Sequence, residues 1–272
     1  MVRKGGDGLM RRRLEAAREA ALAAGRLVRR EFDRMPAGPV EEKGPNDFVT
    51  PVDRASEELI RGIIGRLFPG EDMLAEESPG ELEKSGCWIV DPLDGTTNFI
   101  HRYPYVGVSI SWFEEGRVMA AVTYDPVREE VFEAVRGGGA SCNGKPMTVS
   151  SSGGLETSLL GTGFPFRAHE HLDPYIGMFK ELFLQCRGIR RAGAAVIDLA
   201  LVAAGRLDGF WEIFLKPWDI AAGSLLIEEA GGTVTDLAGG RSFLSSGHIA
   251  AGAPAVHRAI LEAASGYFAG GP

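Results

Sequence analysis

Cys87-Trp88-Ile89-Val90-Asp91-Pro92-Leu93-Asp94-Gly95-Thr96-Thr97-Asn98-Phe99 is the stretch on which the reading of this chain turns. The apolar run Cys87–Val90 reads as a buried strand. Two carboxylates three residues apart, Asp91 and Asp94, stand where that strand runs out, and Pro92 stiffens the turn between them. Asp94-Gly95-Thr96-Thr97 then reads as the start of a helix, with Asp or Thr available as N-cap. A helix start offers free backbone N–H groups and the positive end of a dipole, which suits a phosphate. Carboxylates beside a phosphate repel it unless cations lie between them, and hard oxygen ligands favour Mg²⁺. A plainer reading competes, because Asp-Pro and Asp-Gly are also common turn formers. The rest of the chain has to decide between a metal-dependent phosphoryl site and a turn.

The 272 residues are 44% hydrophobic, enough for a substantial core in one large domain or two packed lobes. The formal charge of −8 argues against a protein that grips nucleic acid through a basic surface. It leaves anionic substrates open, since bound cations reverse the local sign. Three widely spaced cysteines, Cys87, Cys142 and Cys186, form neither a disulfide framework nor a C-x-x-C metal pattern and suit a reducing compartment. No apolar stretch is long enough to span a membrane. Arg11-Arg12-Arg13 is followed by Leu14-Glu15 rather than an apolar run, so no signal peptide is read there. The expectation is a cytoplasmic protein without membrane or nucleic-acid partners.

Along the chain, residues 1–9 read as a flexible tail. Leu14, Ala17, Ala21, Ala24 and Val28 predict an amphipathic helix over 10–34, ended by Pro36 and Gly38. Asp53 precedes a second helix with Leu59, Ile60, Ile63, Ile64 and Leu67 on one face. Residues 106–113, 118–124 and 131–135 read as an antiparallel meander. Ser/Gly-rich residues 150–155 mark a boundary between an N-terminal α+β lobe (10–150) with the metal-binding motifs and a C-terminal α/β lobe (151–272) completing the active site. In the second half, strands near 158–161, 207–213, 233–236 and 248–251 interleave with helices near 172–186, 194–204, 219–230 and 255–265. The class is α+β, with sheets and helices in layers.

Further acids fall at segment ends: Asp53, Glu76 after Met73-Leu74-Ala75, Glu212 after Gly209-Phe210-Trp211, and Asp219 in Lys216-Pro217-Trp218-Asp219-Ile220-Ala221-Ala222-Gly223. Taken singly, Asp53 and Asp219 read as helix caps and Glu76 as a solvated acid. Together they occupy positions from which side chains converge on one cleft. Hydrolysis of a phosphate monoester is very slow in water and is helped by paired metals that activate a water and stabilise the leaving oxygen. Phosphatases that form an aspartyl phosphate also place an Asp pair after a buried strand, but two residues apart. The spacing of three here, with proline between, argues against a covalent Asp nucleophile.

These segments resemble the inositol monophosphatase family. The matching motifs are Ala75-Glu76-Glu77-Ser78, Trp88 to Phe99, and Trp218 to Gly223, with Asn143-Gly144-Lys145-Pro146, Gly188-Ile189-Arg190-Arg191 and Glu229-Ala230-Gly231-Gly232 in support. The resemblance implies a layered α-β-α-β-α fold and Mg²⁺-dependent hydrolysis of an inositol monophosphate or related sugar-alcohol phosphate. It implies a first metal on Glu76, Asp91 and the Leu93 carbonyl, and a second on Asp91, Asp94 and Asp219. A third, weaker metal would be supported by Glu76, giving two to three Mg²⁺ per site. Thr96 would orient the nucleophilic water with Asp53 behind it. Amides of Gly95 and Thr96 would bind phosphate, and Gly193, Ala194 and Glu212 would face the sugar alcohol. Homodimers and Li⁺ inhibition are common in the family.

Ala194 stands where the family often has Ser or Thr, and Arg191 where some animal members have a small polar residue and bacterial-type members often carry Arg. Histidinol-phosphate, fructose-1,6-bisphosphate and 3′-phosphoadenosine 5′-phosphate phosphatases share the fold and remain alternatives, as does a non-catalytic regulatory relative. Thr97-Asn98 after Asp94-Gly95-Thr96, where the last of those phosphatases usually has Lys-Glu, favours inositol-type substrates.

Overall fold

The computed structural model describes residues 6–34, 41–44, 47–80, 82, 86–166 and 168–268. Helix α1 (Gly6–Asp33) buries Ala16, Ala17, Ala20, Ala21, Ala24 and Val28, a stripe of small residues that lets it lie close on what it covers. Residues 6–9, expected in the tail, are its first turn; residues 1–5, and the expected stop at Pro36 and Gly38, lie outside the described residues. A short hairpin, β1 (Glu41–Gly44) and β2 (Asp47–Val49), leads to α2 (Pro51–Leu67). Thr50, not Asp53, is the N-cap of α2: Thr50 Oγ1 accepts the Val52 N–H at 3.1 Å. Asp53 reaches back to the Thr50 N–H at 2.9 Å, closing a capping box.

β3 (Asp72–Ala75) pairs in parallel with β4 (Cys87–Asp94), and the sheet continues antiparallel through β5 (Gly107–Glu114), β6 (Arg117–Asp125), β7 (Glu130–Val135), β8 (Gly139–Cys142) and β9 (Lys145–Pro146). The expected meander is β5-β6-β7. The glycine-rich punctuation after it carries two further short strands, because Gly137-Gly138 and Asn143-Gly144 are hairpin turns whose flanks are too short to show alternation. A five-stranded sheet follows in the order β11-β10-β12-β14-β13. Its strands are β10 (Leu159–Thr162), β11 (Gly188–Arg190), β12 (Gly209–Glu212), β13 (Thr233–Thr235) and β14 (Ile249–Gly252). The sheet is mixed, with β10 parallel to β11 and β12 and β14 antiparallel to β12 and β13.

The layers follow from which helices are apolar on one face and which all round. α5 (Ala195–Ala203) and α6 (Pro217–Glu229) are buried along nearly their whole length and pack on both sheets, forming the central layer. The amphipathic α1 and α2 cover the far face of the large sheet, and α4 (Leu172–Gln185) and α8 (Pro254–Ser265) cover the small one. The order is α-β-α-β-α, an α+β fold. The short helices α3 (Thr96–Ile100) and α7 (Phe243–Ser246) sit at loop ends. Among the described residues no helix is long and apolar enough to cross a membrane.

Candidate active site

The parallel pairing of β3 with β4 sets Ala75 beside Val90, so Glu76 leaves its strand next to the point where Asp91 begins the loop. The Glu76 N–H donates to the Val90 carbonyl at 3.3 Å. Buried Glu57 on α2 steadies the segment after it, accepting the Glu77 N–H at 2.9 Å and the Ser78 hydroxyl. β4 does not stop at Asp91. It pairs with β5 at Asp91 and again at Asp94, with Pro92 and Leu93 bulging between. The bulge turns both carboxylates towards one side. It is locked by Leu93 N–H on Asp91 Oδ1 at 3.1 Å and by the Ser56 hydroxyl on the Pro92 carbonyl at 2.7 Å.

Gly95, rather than Asp94 or a threonine, caps α3, with φ of 86°. A β-carbon there would stand 2.9 Å from the Tyr105 carbonyl, so both conformation and space require glycine. At five residues, α3 has little dipole to offer, which weakens the helix-start argument for phosphate. Thr96 Oγ1 lies 2.8 Å from Asp53 Oδ1 and 3.2 Å from the Leu93 carbonyl oxygen. Asp53 is fully buried and its other oxygen accepts from Thr50 Oγ1 at 2.5 Å. The Thr96 hydroxyl is therefore held in one orientation, by Asp53 from behind and by the Leu93 carbonyl at the cavity wall.

The second half of the chain supplies the opposite wall. Asp94 Oδ2 accepts the Val196 N–H at 2.8 Å, drawing the first turn of α5 onto the loop. Asn98 Nδ2 donates to the carbonyls of Tyr105 (2.8 Å) and Ala192 (2.9 Å), fastening the segment with Gly193 and Ala194 to α3. Pro217 opens α6 and Asp219 sits in its first turn, its Oδ2 accepting the Lys216 N–H at 2.6 Å, so Asp219 is not the cap expected. Glu212 ends β12. The carbonyl before it, on Trp211, is gripped by Thr162 Oγ1 at 2.9 Å and the Tyr175 hydroxyl at 3.3 Å. Phe214 adopts φ of 62° and is held between the rings of His171 and His248, at 4.8 and 4.7 Å.

One cavity of about 330 Å³ is lined by Glu76, Asp91, Leu93, Asp94, Gly95, Thr96, Gly193, Ala194, Glu212 and Asp219. Asp53 stands behind Thr96. Phe48, Phe164, Phe166, Phe214 and Trp218 form its apolar walls, and Arg191 and Lys216 are its cations, with the Arg191 guanidinium 4.9 Å from the Phe166 ring centre. Among the lining residues given no role from sequence are Gly163, Asn98 and Asp198. Gly163 and Asn98 carry no chemical signal of their own. Asp198 could have been flagged, since a lone carboxylate in the apolar run Ala195–Ala203 is rarely left buried without purpose.

Burial raises Asp91 well above the usual carboxylate range, and the negative charges of Glu76, Asp94 and Asp219 raise it further. Asp94 is raised likewise, by burial and then by Asp219. Glu212 is pushed up by burial and by Asp219, against the pull of Arg191. Burial also lifts Asp53, despite hydrogen bonds from Thr50 and Thr96. Among the described residues, no three His, Cys, Asp or Glu side chains already stand as a closed ligand cluster. The acids nonetheless lie near enough that their charges raise one another's proton affinity, a repulsion that a cation would relieve. Among the described residues, buried Asp91 Oδ2 meets no hydrogen-bond donor, which leaves a hard oxygen acceptor open. This donor set, all carboxylate and carbonyl oxygen, fits Mg²⁺.

The sequence profile of the inositol monophosphatase family matches residues 9–267. A Pseudomonas aeruginosa protein named Nus factor SuhB is 49% identical over 255 residues, spanning 91% of this chain and 94% of the relative. An inositol-1-monophosphatase of Mesorhizobium japonicum is 42% identical over 248 residues, spanning 90% and 93%. The crystal structure of extragenic suppressor protein suhB from Bartonella henselae superposes with a TM-score of 0.88 at 39% identity, over 92% of this chain and 97% of that one. On profile, sequence and architecture alike, this chain belongs to the inositol monophosphatase family.

Proposed function

We propose that this protein is a Mg²⁺-dependent phosphomonoesterase that hydrolyses inositol monophosphate or a related sugar-alcohol phosphate by direct attack of water. The observation that carries the reading is the convergence of Glu76, Asp91, Asp94 and Asp219 on one cavity, beside a threonine hydroxyl held by a buried aspartate. Glu76, Asp91, the Leu93 carbonyl, Asp94 and Asp219 would hold two to three Mg²⁺. Bound Mg²⁺ supplies an activated water and screens the phosphate's charge. Thr96 orients that water, with Asp53 accepting the Thr96 proton and fixing the direction of its lone pairs. The amides of Gly95 and Thr96 meet the phosphate, and Gly193, Ala194 and Glu212 meet the alcohol. Li⁺ inhibition, a homodimer and a cytoplasmic location belong to the same reading.

A second reading has its own support: the Pseudomonas aeruginosa relative carries the name of a Nus factor, not of a phosphatase. In that reading the fold serves a regulatory role and the acidic cleft need not turn over substrate. Phosphate release from a panel of inositol, glycerol, histidinol, fructose-1,6- and 3′-phosphoadenosine esters, with and without Mg²⁺, separates the two. Mg²⁺-dependent release, fastest on inositol monophosphate, is the expected result, and silence across the panel favours the regulatory role.

A further inference from the structure

Asp198 is the one carboxylate in apolar helix α5 and is 2% exposed. It stands one turn beyond Ala194, on the same helix face, and lines the cavity with Glu212. Tyr105 donates its hydroxyl to Asp198 Oδ1 at 2.6 Å, and among the described residues no hydrogen bond is made to Oδ2. Tyr105 is itself held. The Arg128 guanidinium lies 5.2 Å from its ring centre, and buried Asp125 fixes Arg128 at 2.6 Å. A buried carboxylate is costly unless something uses it, and a chain of three residues keeps this one in a single pose.

We infer that Asp198 is a specificity-determining residue, whose Oδ2 joins Glu212 in receiving hydroxyl groups of a polyhydroxylated leaving alcohol. The inference rests on the phosphomonoesterase reading above and names the substrate feature that this wall recognises. Two acidic acceptors on one wall match neighbouring hydroxyls and offer nothing to a hydrocarbon ring. Burial, eased by Tyr105 and Arg191, holds the Asp198 carboxyl at about 7, so near neutrality it can donate as well as accept. Tyr105 is the positioning residue that acts through it.

The test compares myo-inositol 1-phosphate with cyclohexyl phosphate, the same ring without hydroxyls, on the full chain with Mg²⁺. Asp198→Asn should raise KM for the inositol ester about tenfold, while kcat/KM for the cyclohexyl ester stays within about twofold of the unmodified protein. Tyr105→Phe, which keeps the carboxylate but frees it, should move KM in the same direction and leave kcat nearly unchanged; it also serves if Asp198→Asn does not fold. Equal losses on both esters would overturn the inference. If the unmodified protein hydrolyses neither ester, the phosphatase reading fails by itself, and binding of free myo-inositol against cyclohexanol then decides. Weaker inositol binding in Asp198→Asn sustains the inference, and unchanged binding overturns it.

Discussion

The carboxylate of Glu212 lies directly on the α-carbon of Gly163: a β-carbon at position 163 would overlap both carboxylate oxygens. Glycine at the end of β10 thus leaves the room in which the Glu212 head group rests. Gly163→Ala should push that head group aside at small cost in stability, since the carboxylate is the mobile end of its side chain. The expected readout is a loss of kcat/KM on inositol monophosphate of on the order of tenfold, with less on glycerol 2-phosphate, and a melting temperature close to unmodified. Glu212→Gln should show the same ranking of the two esters. Equal losses would mean that Glu212 does not read the alcohol.

Asp91 is crowded by three other acids, Glu76, Asp94 and Asp219. Asp91→Asn removes a charge that the metal-free fold must tolerate and that Mg²⁺ would need. The metal-free variant should melt no lower than the unmodified protein, while Mg²⁺-dependent turnover disappears. Calorimetry with and without Mg²⁺ checks both halves. Normal turnover in this variant would remove Asp91 from the proposed ligand set.

Thr96 and Asp53 act as a pair, joined at 2.8 Å. Thr96→Ala should lower kcat on the order of 10²–10⁴-fold, the usual worth of a positioned proton-handling group, with little change in KM. It should do so on every ester alike, because the water and not the alcohol is affected. Trapping a phosphorylated Thr96 would contradict direct water attack.

Asp91, Asp94 and Glu212 all hold protons more tightly than exposed carboxyls, and Asp198 is raised to about 7. The folded state therefore binds more protons than the unfolded chain, and stability falls as pH rises. In chelator, the melting temperature should decline from about pH 5, just above the ordinary carboxylate range, through about pH 7 to 8, past the Asp198 value. Added Mg²⁺ should offset the decline, and more strongly at the higher pH. A flat profile in chelator would show that the acids are not crowded in solution.

The sequence by itself determined the major elements and the acids that stand at their ends. Apolar periodicity marked the major helices and the β5-β6-β7 meander, because one buried face per element leaves a repeat of 3.6 or 2. It marked the acids at segment ends, and the spacing of Asp91 and Asp94 around Pro92 argues against a covalent aspartate. Tertiary structure alone decided what meets what. Glu76 and Asp91 are neighbours because β3 and β4 pair in parallel register, and Val196 reaches Asp94 across a separation of 102 residues. Asp53 read as a cap, yet it is the third residue of its helix with one oxygen on Thr50 and the other on Thr96. Gly163, Asn98 and Asp198 gained meaning only from packing. A missing β-carbon and an amide say nothing, and a lone acid in an apolar run says only that it is unusual, until another segment, far along the chain, is laid against them.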